Sequence, residues 1–141
     1  MSDKYFIDTN IIVYAHDGAH PEKQSRAQEV IFSGMRNSDT SISAQVLSEF
    51  FVTVTRKINR KFSIPAARHV VALLSHLEVV DIDADLIQKA SFMQERFRTS
   101  YWDGLILAAA DQAECTVLYS EDFSHGQRYG GITSVNPFFQ G

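Results

Sequence analysis

The sequence predicts a three-layer α/β/α domain with a central, mainly parallel sheet of four to five strands. Short apolar runs alternate with amphipathic stretches of about ten residues or more, a spacing typical of parallel strands joined by crossover helices. The chain has 141 residues, of which 45% are hydrophobic and 21% charged, the composition of an ordinary globular domain. Because no internal repeat or linker-like tract interrupts it, we expect one domain over residues 1–141.

The elements follow from the spacing of apolar residues and from the residues that begin and end helices. The predicted strands are Lys4–Ile7, Thr40–Ser43, Glu78–Ile82, Thr116–Tyr119 and a fifth, Ile132–Val135, which Asn136-Pro137 ends. The predicted helices are a helix or turn at Ile11–Ala15, then Glu22–Met35, Ala44–Lys57, Ile64–Leu77, Leu86–Arg98 and Tyr101–Ala113. Pro21 begins the second of these, which ends around Gly34. Asp83 or Asp85 caps the fifth, and Ser100 caps the sixth.

Charge and cysteine content narrow the classes of function. The formal net charge is −4, the wrong sign for holding nucleic acid by bulk electrostatics, so a polyanionic partner needs a local source of positive charge. The longest apolar run, Leu105–Ala110, is far shorter than the ~20 residues that cross a bilayer, so we expect no membrane span. Cys115 is the single cysteine and Met1–Lys4 lacks the layout of a secretory signal, which favours a reducing cytoplasm.

Two predicted strands end in acidic residues at the same edge of the sheet. Asp8 follows the first strand and Asp122 follows the fourth, at the carboxyl edge where open parallel sheets bind ligands. Glu49 lies early in the helix after the second strand. Asp103 lies in the first turn of its helix, where the helix dipole favours an ionised carboxylate. We therefore predict that these four carboxylates form one site.

Neighbouring carboxylates raise one another's pKa unless a cation lies among them. Ligands that are all oxygen favour Mg²⁺ or Mn²⁺. Such an ion offsets the negative charge, lowers the pKa of water and stabilises charge on phosphoryl oxygens, which is the chemistry of phosphodiester hydrolysis. Each acid also has a structural alternative: Asp8 as a helix cap, Asp103 as a helix N-terminal acid, Glu49 as a solvated helix charge and Asp122 as a turn residue.

Five blocks of sequence carry a family resemblance, and they span almost the whole chain in order. They are Phe6–Ala15 (FIDTNIIVYA), Ser43–Phe50 (SAQVLSEF), Tyr101–Ala110 (YWDGLILAAA), Leu118–Phe123 (LYSEDF) and Asn136–Phe138 (NPF). These blocks resemble the PIN-domain ribonucleases and, within them, the VapC-type toxins of bacterial toxin–antitoxin pairs.

The resemblance implies a metal-dependent endoribonuclease. Its acidic cluster would be Asp8, Glu49, Asp103 and Asp122, with Thr9 or Ser120 supporting it by hydrogen bonds and Asn10 orienting Asp8. Many relatives carry threonine where this chain has Ser120, and both residues supply a hydroxyl. The resemblance also implies a homodimer that is silenced by an antitoxin protein, which inserts a segment near the site.

Two groups of basic residues are candidates for binding RNA. Arg96 and Arg98, followed by Trp102 close to Asp103, are placed to hold and stack a single-stranded base; packing of Trp102 in the core is the alternative. The second group is the basic cluster Arg56–Lys61, which could grip phosphates or simply form a solvated helix end.

Two other functions stay open at this point. Phosphoryl transfer through an aspartyl phosphate at Asp8 also uses a strand-end acid and Mg²⁺, but it expects an acid where Asn10 stands and a lysine after the fourth strand. A non-catalytic module that binds RNA or protein would keep the fold without the chemistry. Among the three, we favour a Mg²⁺- or Mn²⁺-dependent endoribonuclease.

Overall fold

The computed structural model describes residues 2–140 and shows a six-stranded sheet flanked by helices. The strands are β1 (Tyr5–Ile7), β2 (Thr40–Ser43), β3 (Glu78–Val80), β4 (Val117–Tyr119), β5 (Arg128–Tyr129) and β6 (Ile132–Val135). The helices are α1 (Thr9–Ala15), α2 (Pro21–Asn37), α3 (Ala44–Arg56), α4 (Ile64–Leu74), α5 (Ala84–Phe97) and α6 (Tyr101–Gln112). Met1 and Gly141, which we included in the predicted domain, lie outside the described residues.

The sheet has the strand order β3-β2-β1-β4-β6-β5, and every neighbouring pair is parallel except the antiparallel pair β5 and β6. This arrangement confirms the predicted fold class. Strand β1 lies between β2 and β4, and its last residue, Ile7, pairs with Tyr119, the last residue of β4. The register therefore brings the residues that follow these two strands, Asp8 and Ser120, to the same point of the carboxyl edge.

The prediction of four to five strands was one short because it missed β5. This strand has two residues and pairs with β6 through a tight turn in which Gly130 has a φ of 65°. A glycine adopts this left-handed conformation at little cost. A two-residue strand is too short to show the alternation of apolar and polar residues from which strands are predicted.

Several predicted boundaries differ from the structure by one to three residues, among them the ends of α2, α4 and β3. Helix α2 continues past Gly34 to Asn37, and Ser38, which has a φ of 53°, caps its end. Gly34 is needed for packing instead, because a Cβ there would lie 2.4 Å from the Thr40 hydroxyl oxygen. Helix α4 ends at Leu74, since the chain must turn before it enters β3. Strand β3 ends at Val80 and leaves Ile82 exposed in the connection to α5.

The core lies on both sides of the central strands. Phe6 and Leu118 of the sheet are fully buried, as is Phe50 of α3. Helix α6 is buried from Gly104 to Ala110 and packs closely on α5, with the Gly104 Cα next to the Ala90 carbonyl oxygen. Because α6 is fixed by this packing, its N-terminal turn is held at the carboxyl edge of the sheet. None of the helices within residues 2–140 combines the length and the apolar composition needed to cross a lipid bilayer.

Candidate active site

Asp8 lies at the centre of the carboxyl edge, directly after β1. It caps α1, because one carboxylate oxygen accepts a hydrogen bond from the Thr9 backbone N–H at 2.8 Å. Its other oxygen accepts a hydrogen bond from the Ser120 hydroxyl, also at 2.8 Å. The residue is 5% exposed, and this burial raises its pKa to about 7, against the two hydrogen bonds and with help from the negative charges of Asp122 and Glu49. Asp8 therefore caps α1 and at the same time has the raised pKa that is typical of a functional carboxylate.

Asp103 enters the same region from the first turn of α6. Ser100 caps this helix by accepting a hydrogen bond from the Asp103 backbone N–H at 3.1 Å. The Asp103 side chain is half-buried, and desolvation raises its pKa, with a further contribution from the charge of Asp122. Both pKa values are raised mainly by desolvation, and the negative charge of Asp122 adds to the effect in each case.

Glu49 and Asp122 are more exposed and are held by the two residues after Asp8. The Thr9 hydroxyl donates to Glu49 Oε1 at 2.8 Å, and the Asn10 amide Nδ2 donates to Asp122 Oδ2 at 3.0 Å. Asn10 thus orients Asp122 and not Asp8, which corrects the expectation from the sequence. The reason is that both oxygens of Asp8 already accept hydrogen bonds, from Thr9 and from Ser120.

The turn after β4 is fixed by residues that the sequence did not single out. The Glu121 backbone N–H donates to Asn10 Oδ1 at 3.2 Å, while its carboxylate accepts hydrogen bonds from the Tyr14 hydroxyl at 2.7 Å and from Lys23 Nζ at 2.5 Å. Burial raises the pKa of Glu121, but the hydrogen bonds from Lys23 and Tyr14 outweigh it and the net direction is down. Since Lys23 lies 98 residues from Glu121, no local pattern could have predicted this pair.

All four predicted acids line one cleft of about 430 Å³, which we call the acidic cleft. Asp17 also lines it, and no lysine or arginine of residues 2–140 does. Nowhere in this range are three or more His, Cys, Asp or Glu side chains close enough to hold a metal ion as a group. The donor set consists of carboxylates, so it suits a Mg²⁺-like ion that is held by one or two carboxylates and keeps several waters, and it does not form a cage made of protein alone.

Gln45 is a further residue that the sequence did not single out. It lies in the wall of the acidic cleft and is 5% exposed. Its Nε2 donates to the Trp102 carbonyl oxygen at 3.3 Å, but its Oε1 is buried without a hydrogen-bond partner within the described chain. A buried acceptor with no donor costs about 1–3 kcal/mol, so its presence beside the cleft requires an explanation.

The candidate RNA-binding residues are separated by the fold. Trp102 is 61% exposed and lines the acidic cleft, so the alternative of core packing is wrong. Arg96 lies over the ring of Phe97 at 4.7 Å, and Arg98 occupies the left-handed position that ends α5. Neither arginine is among the described residues that line the acidic cleft.

An apolar groove lies apart from the acidic cleft, between α1, α2 and α4. It has a volume of about 500 Å³, and its lining includes the exposed side chains of Phe32 and Leu73. Exposed apolar surface of this kind is typical of a contact with another protein.

Comparisons with known proteins identify the family and the fold. The family model that describes the PIN domain matches residues 5–129. No curated protein sequence matches the chain.

The solved structures that share the fold include the following three. A toxin–antitoxin complex from Klebsiella pneumoniae superposes with a TM-score of 0.70 at 16% identity, covering 96% of this chain and 98% of that chain. DNA-bound VapBC from Salmonella typhimurium gives 0.65 at 19% identity, with 94% and 97% covered. VapC20 of Mycobacterium tuberculosis, a toxin that cleaves the sarcin-ricin loop, gives 0.63 at 19% identity, with 84% and 90% covered.

Proposed function

The chain belongs to the PIN domain family, and from this premise we propose that it is an endoribonuclease that hydrolyses RNA phosphodiester bonds with the help of Mg²⁺ or Mn²⁺. The observation that carries the proposal is the convergence of Asp8, Glu49, Asp103 and Asp122 on one cleft at the carboxyl edge of a parallel sheet. These acids come from four separate parts of the chain, so their convergence is a product of the fold.

The four carboxylates divide into two pairs with different surroundings. Asp8 and Asp103 are the more buried pair, and both have raised pKa values. We assign them to holding the ion, which when bound lowers the pKa of water and offsets charge on the phosphate. Glu49 and Asp122 are exposed and are oriented by Thr9 and Asn10. We assign them to positioning water and substrate at the open side, where one of them can accept a proton.

The acid assignment is tested with Asp8→Asn and Asp103→Asn, assayed on a fluorescent single-stranded RNA. Each substitution keeps the shape of the side chain and removes its charge, so we expect cleavage to fall by about a thousandfold, equivalent to about 4 kcal/mol of transition-state stabilisation. The matched control is Asp17→Asn, which removes an acid from the same cleft outside the proposed four and should leave cleavage within about threefold.

Metal removal separates the proposed reaction from its alternatives. We expect EDTA to abolish RNA cleavage, Mn²⁺ to restore it, and no phosphomonoester to be consumed. Release of phosphate from a phosphomonoester would instead support aspartyl phosphate chemistry at Asp8. RNA binding without cleavage under every metal condition would support a non-catalytic module. Folded Asp8→Asn protein that cleaves RNA at the parent rate would refute the assignment.

We further propose that the chain is the toxin of a toxin–antitoxin pair. The support is the shared fold with a toxin–antitoxin complex and with VapBC, together with the exposed apolar groove, which a partner's apolar segment would cover. Expression of the chain alone in bacteria should arrest growth, and the protein encoded by the adjacent reading frame should relieve the arrest. Growth arrest that persists with Asp8→Asn would mean that toxicity does not come from the acidic cleft.

The groove provides a separate test of the antitoxin contact. Phe32→Asp places a charge in the groove, so we expect it to keep RNA cleavage but to lose inhibition by the antitoxin. Phe92→Asp is the matched control, because Phe92 is 69% exposed and does not line the groove. Equal inhibition of both variants would exclude the groove as the contact.

A homodimer and a cytoplasmic location remain predictions from the sequence. Light scattering on the purified chain measures the first, and fractionation of cells that express it measures the second.

A further inference from the structure

A second cleft adjoins the acidic cleft and has a different chemical character. Its volume is also about 430 Å³, and we call it the side cleft. The residues that line both clefts are Gln45, Glu49, Thr53 and Trp102. The residues that line the side cleft alone are Ser48, Val52, Lys57 and Ile82. Where the acidic cleft is lined by five acids, this one has a single acid, a cation and several apolar side chains.

The apolar part of the side cleft consists of side chains that the fold leaves exposed. Trp102, Val52 and Ile82 are three of the exposed large apolar residues of the described chain, and they line the same concave surface. Core packing does not account for any of them. An exposed indole beside aliphatic side chains is a surface on which a planar ring can stack.

The charge in the side cleft fits an anionic ligand. Lys57, at the end of α3, is the one lysine or arginine among residues 2–140 that lines either cleft, and it has no ion-pair partner there. The rest of the basic cluster, Arg56, Arg60 and Lys61, does not line the clefts. The sequence suggested that this cluster grips RNA, and the fold directs one member of it to the cleft.

Gln45 stands in the wall between the two clefts. Its amide donates to the backbone of Trp102, so it fixes the residue that both clefts share, while its Oε1 lacks a donor. Every nucleobase carries an N–H group, which is the kind of donor that this oxygen lacks. An unsatisfied acceptor of this kind is an independent sign that a polar ligand completes the site.

We propose that the side cleft binds the nucleotide next to the scissile phosphate, with its base stacked on Trp102 and its phosphate at Lys57. This inference rests on the proposed nuclease function and assigns residues that bind a base and a phosphate of the substrate. Trp102 is followed directly by Asp103, so a base stacked on the indole holds the RNA backbone at the acids. A concave site of this volume suits a nucleotide better than the broad, flat contact of a second copy of the chain.

The emission of Trp102 tests stacking directly, because it is the only tryptophan in the sequence. The probe is a random-sequence 12-nucleotide RNA in EDTA, which prevents cleavage, with an abasic 12-mer of equal charge as its control. We expect saturable quenching by the RNA and none by the abasic strand. By anisotropy of labelled RNA, Trp102→Ala should weaken binding about fivefold or more, and Trp102→Phe should recover most of the loss.

The salt dependence of binding tests Lys57. Loss of one phosphate contact reduces the slope of log K against log salt by about 0.7 for single strands, so Lys57→Ala should show this reduction. Lys61→Ala is the matched control, since it removes a charge from the same cluster outside the cleft, and should keep the parent slope.

Three results would overturn the proposal. They are equal slopes for the two lysine variants, equal quenching by the abasic strand, and a change of Trp102 emission with protein concentration alone, which would assign the side cleft to a second copy. Cleavage of the same 12-mer with Mn²⁺ is measured in parallel. Cleavage without quenching refutes the side cleft alone, whereas quenching without cleavage refutes the nuclease function and leaves the nucleotide site supported.

Discussion

The bodies of β1 and β4 and their carboxyl ends form two regions that differ in what holds them together. Phe6 and Leu118, in the bodies, are fully buried among apolar side chains, and their burial stabilises the fold. Asp8 and Ser120, one residue beyond the strand ends, are also buried, but burial there removes water from the Asp8 carboxyl group and raises its pKa to about 7. Burial therefore stabilises the fold in the strand bodies, whereas at the carboxyl ends it disfavours the ionised form of Asp8 and lowers stability.

This difference shows how the molecule separates stability from chemistry. The backbone leaves the sheet at the strand ends, so polar groups can gather there without interrupting the ladder of hydrogen bonds. The apolar strand bodies outweigh the cost of the gathered acids. Variants in the core should therefore lose folding first, and variants in the acidic cleft should lose activity and keep or gain stability.

The largest effect is expected in the core, from Phe50→Ala. Phe50 is fully buried, so its truncation leaves a cavity and should lower the free energy of unfolding by about 3–5 kcal/mol. Urea denaturation measures this loss. Phe92→Ala removes the same ring from an exposed position and should stay within about 0.5 kcal/mol of the parent. A small effect at Phe50 would remove the contrast between the regions.

The next effect concerns the acidic cleft and depends on pH. Asp8 has a pKa of about 7 in the folded protein, above its ordinary value of 3.8. Between these two values the folded protein keeps a proton that the unfolded chain releases, so the free energy of unfolding falls as the pH rises from about 4 to 7. The shift corresponds to at most about 4 kcal/mol. Asp8→Asn lacks this penalty, so its stability advantage over the parent should grow across that window.

Urea denaturation in EDTA at about pH 4.5 and about pH 7, near the two ends of this window, measures the difference in stability between Asp8→Asn and the parent. Mg²⁺ should reduce it, because a cation favours the ionised form of Asp8. A constant difference between Asp8→Asn and the parent at both pH values would show that the carboxyl group is not strained by burial.

A third prediction concerns α6, which packs in the core and also carries Asp103 at the acidic cleft. Gly104→Ala would place a Cβ 2.6 Å from the Ala90 carbonyl oxygen, so α6 must move away from α5. We expect a loss of about 1–3 kcal/mol in the free energy of unfolding, despite the better helix propensity of alanine. Gly18→Ala, where nothing lies within 4 Å, is the control and should be nearly neutral. Neutrality at Gly104 would mean that the packing tolerates a shift of the helix.

The smallest effect is expected at the rim of the cleft, from Lys23→Ala. The ion pair of Lys23 with Glu121 is partly exposed, so its loss should lower the free energy of unfolding by about 0.5–1 kcal/mol. RNA cleavage should fall more clearly, since Glu121 helps to hold Asn10 and Asp122. Glu29→Gln, which breaks the exposed pair with Arg26, should change neither measurement. Equal effects of Lys23→Ala and Glu29→Gln on stability and on RNA cleavage would show that the turn after β4 keeps its conformation without the Lys23–Glu121 ion pair.

The fold could largely be predicted because its signals are local. Apolar spacing located β1, β2, β4 and β6, and the capping residues Asp83 and Ser100 marked the starts of α5 and α6 as expected. The acids that follow β1 and β4 could be paired from topology alone, since parallel strands end at one edge. By contrast, the two residues of β5 carry too little pattern to be found.

The unpredicted parts of the candidate site depend on neighbours that are distant in sequence. Gln45 is an ordinary polar residue of a helix until its amide is seen at Trp102, 57 residues away. Lys57 is one of four similar cations in the basic cluster, and only the direction in which α3 ends shows that it lines the side cleft. For Trp102 the sequence left open both base stacking and packing in the core, and the structure shows the indole exposed while the following residues of α6 are buried.

By itself, the sequence determined which residues end strands and begin helices, and therefore which acids stand at the carboxyl edge. The tertiary structure decided how much water each acid keeps and which groups face it, and these two quantities set its pKa. Asp8 shows the difference: its position follows from the few residues around it, whereas its raised pKa comes from burial by the whole fold and is moderated by a hydroxyl 112 residues away. Desolvation and through-space charge cannot be obtained from spacing along a chain.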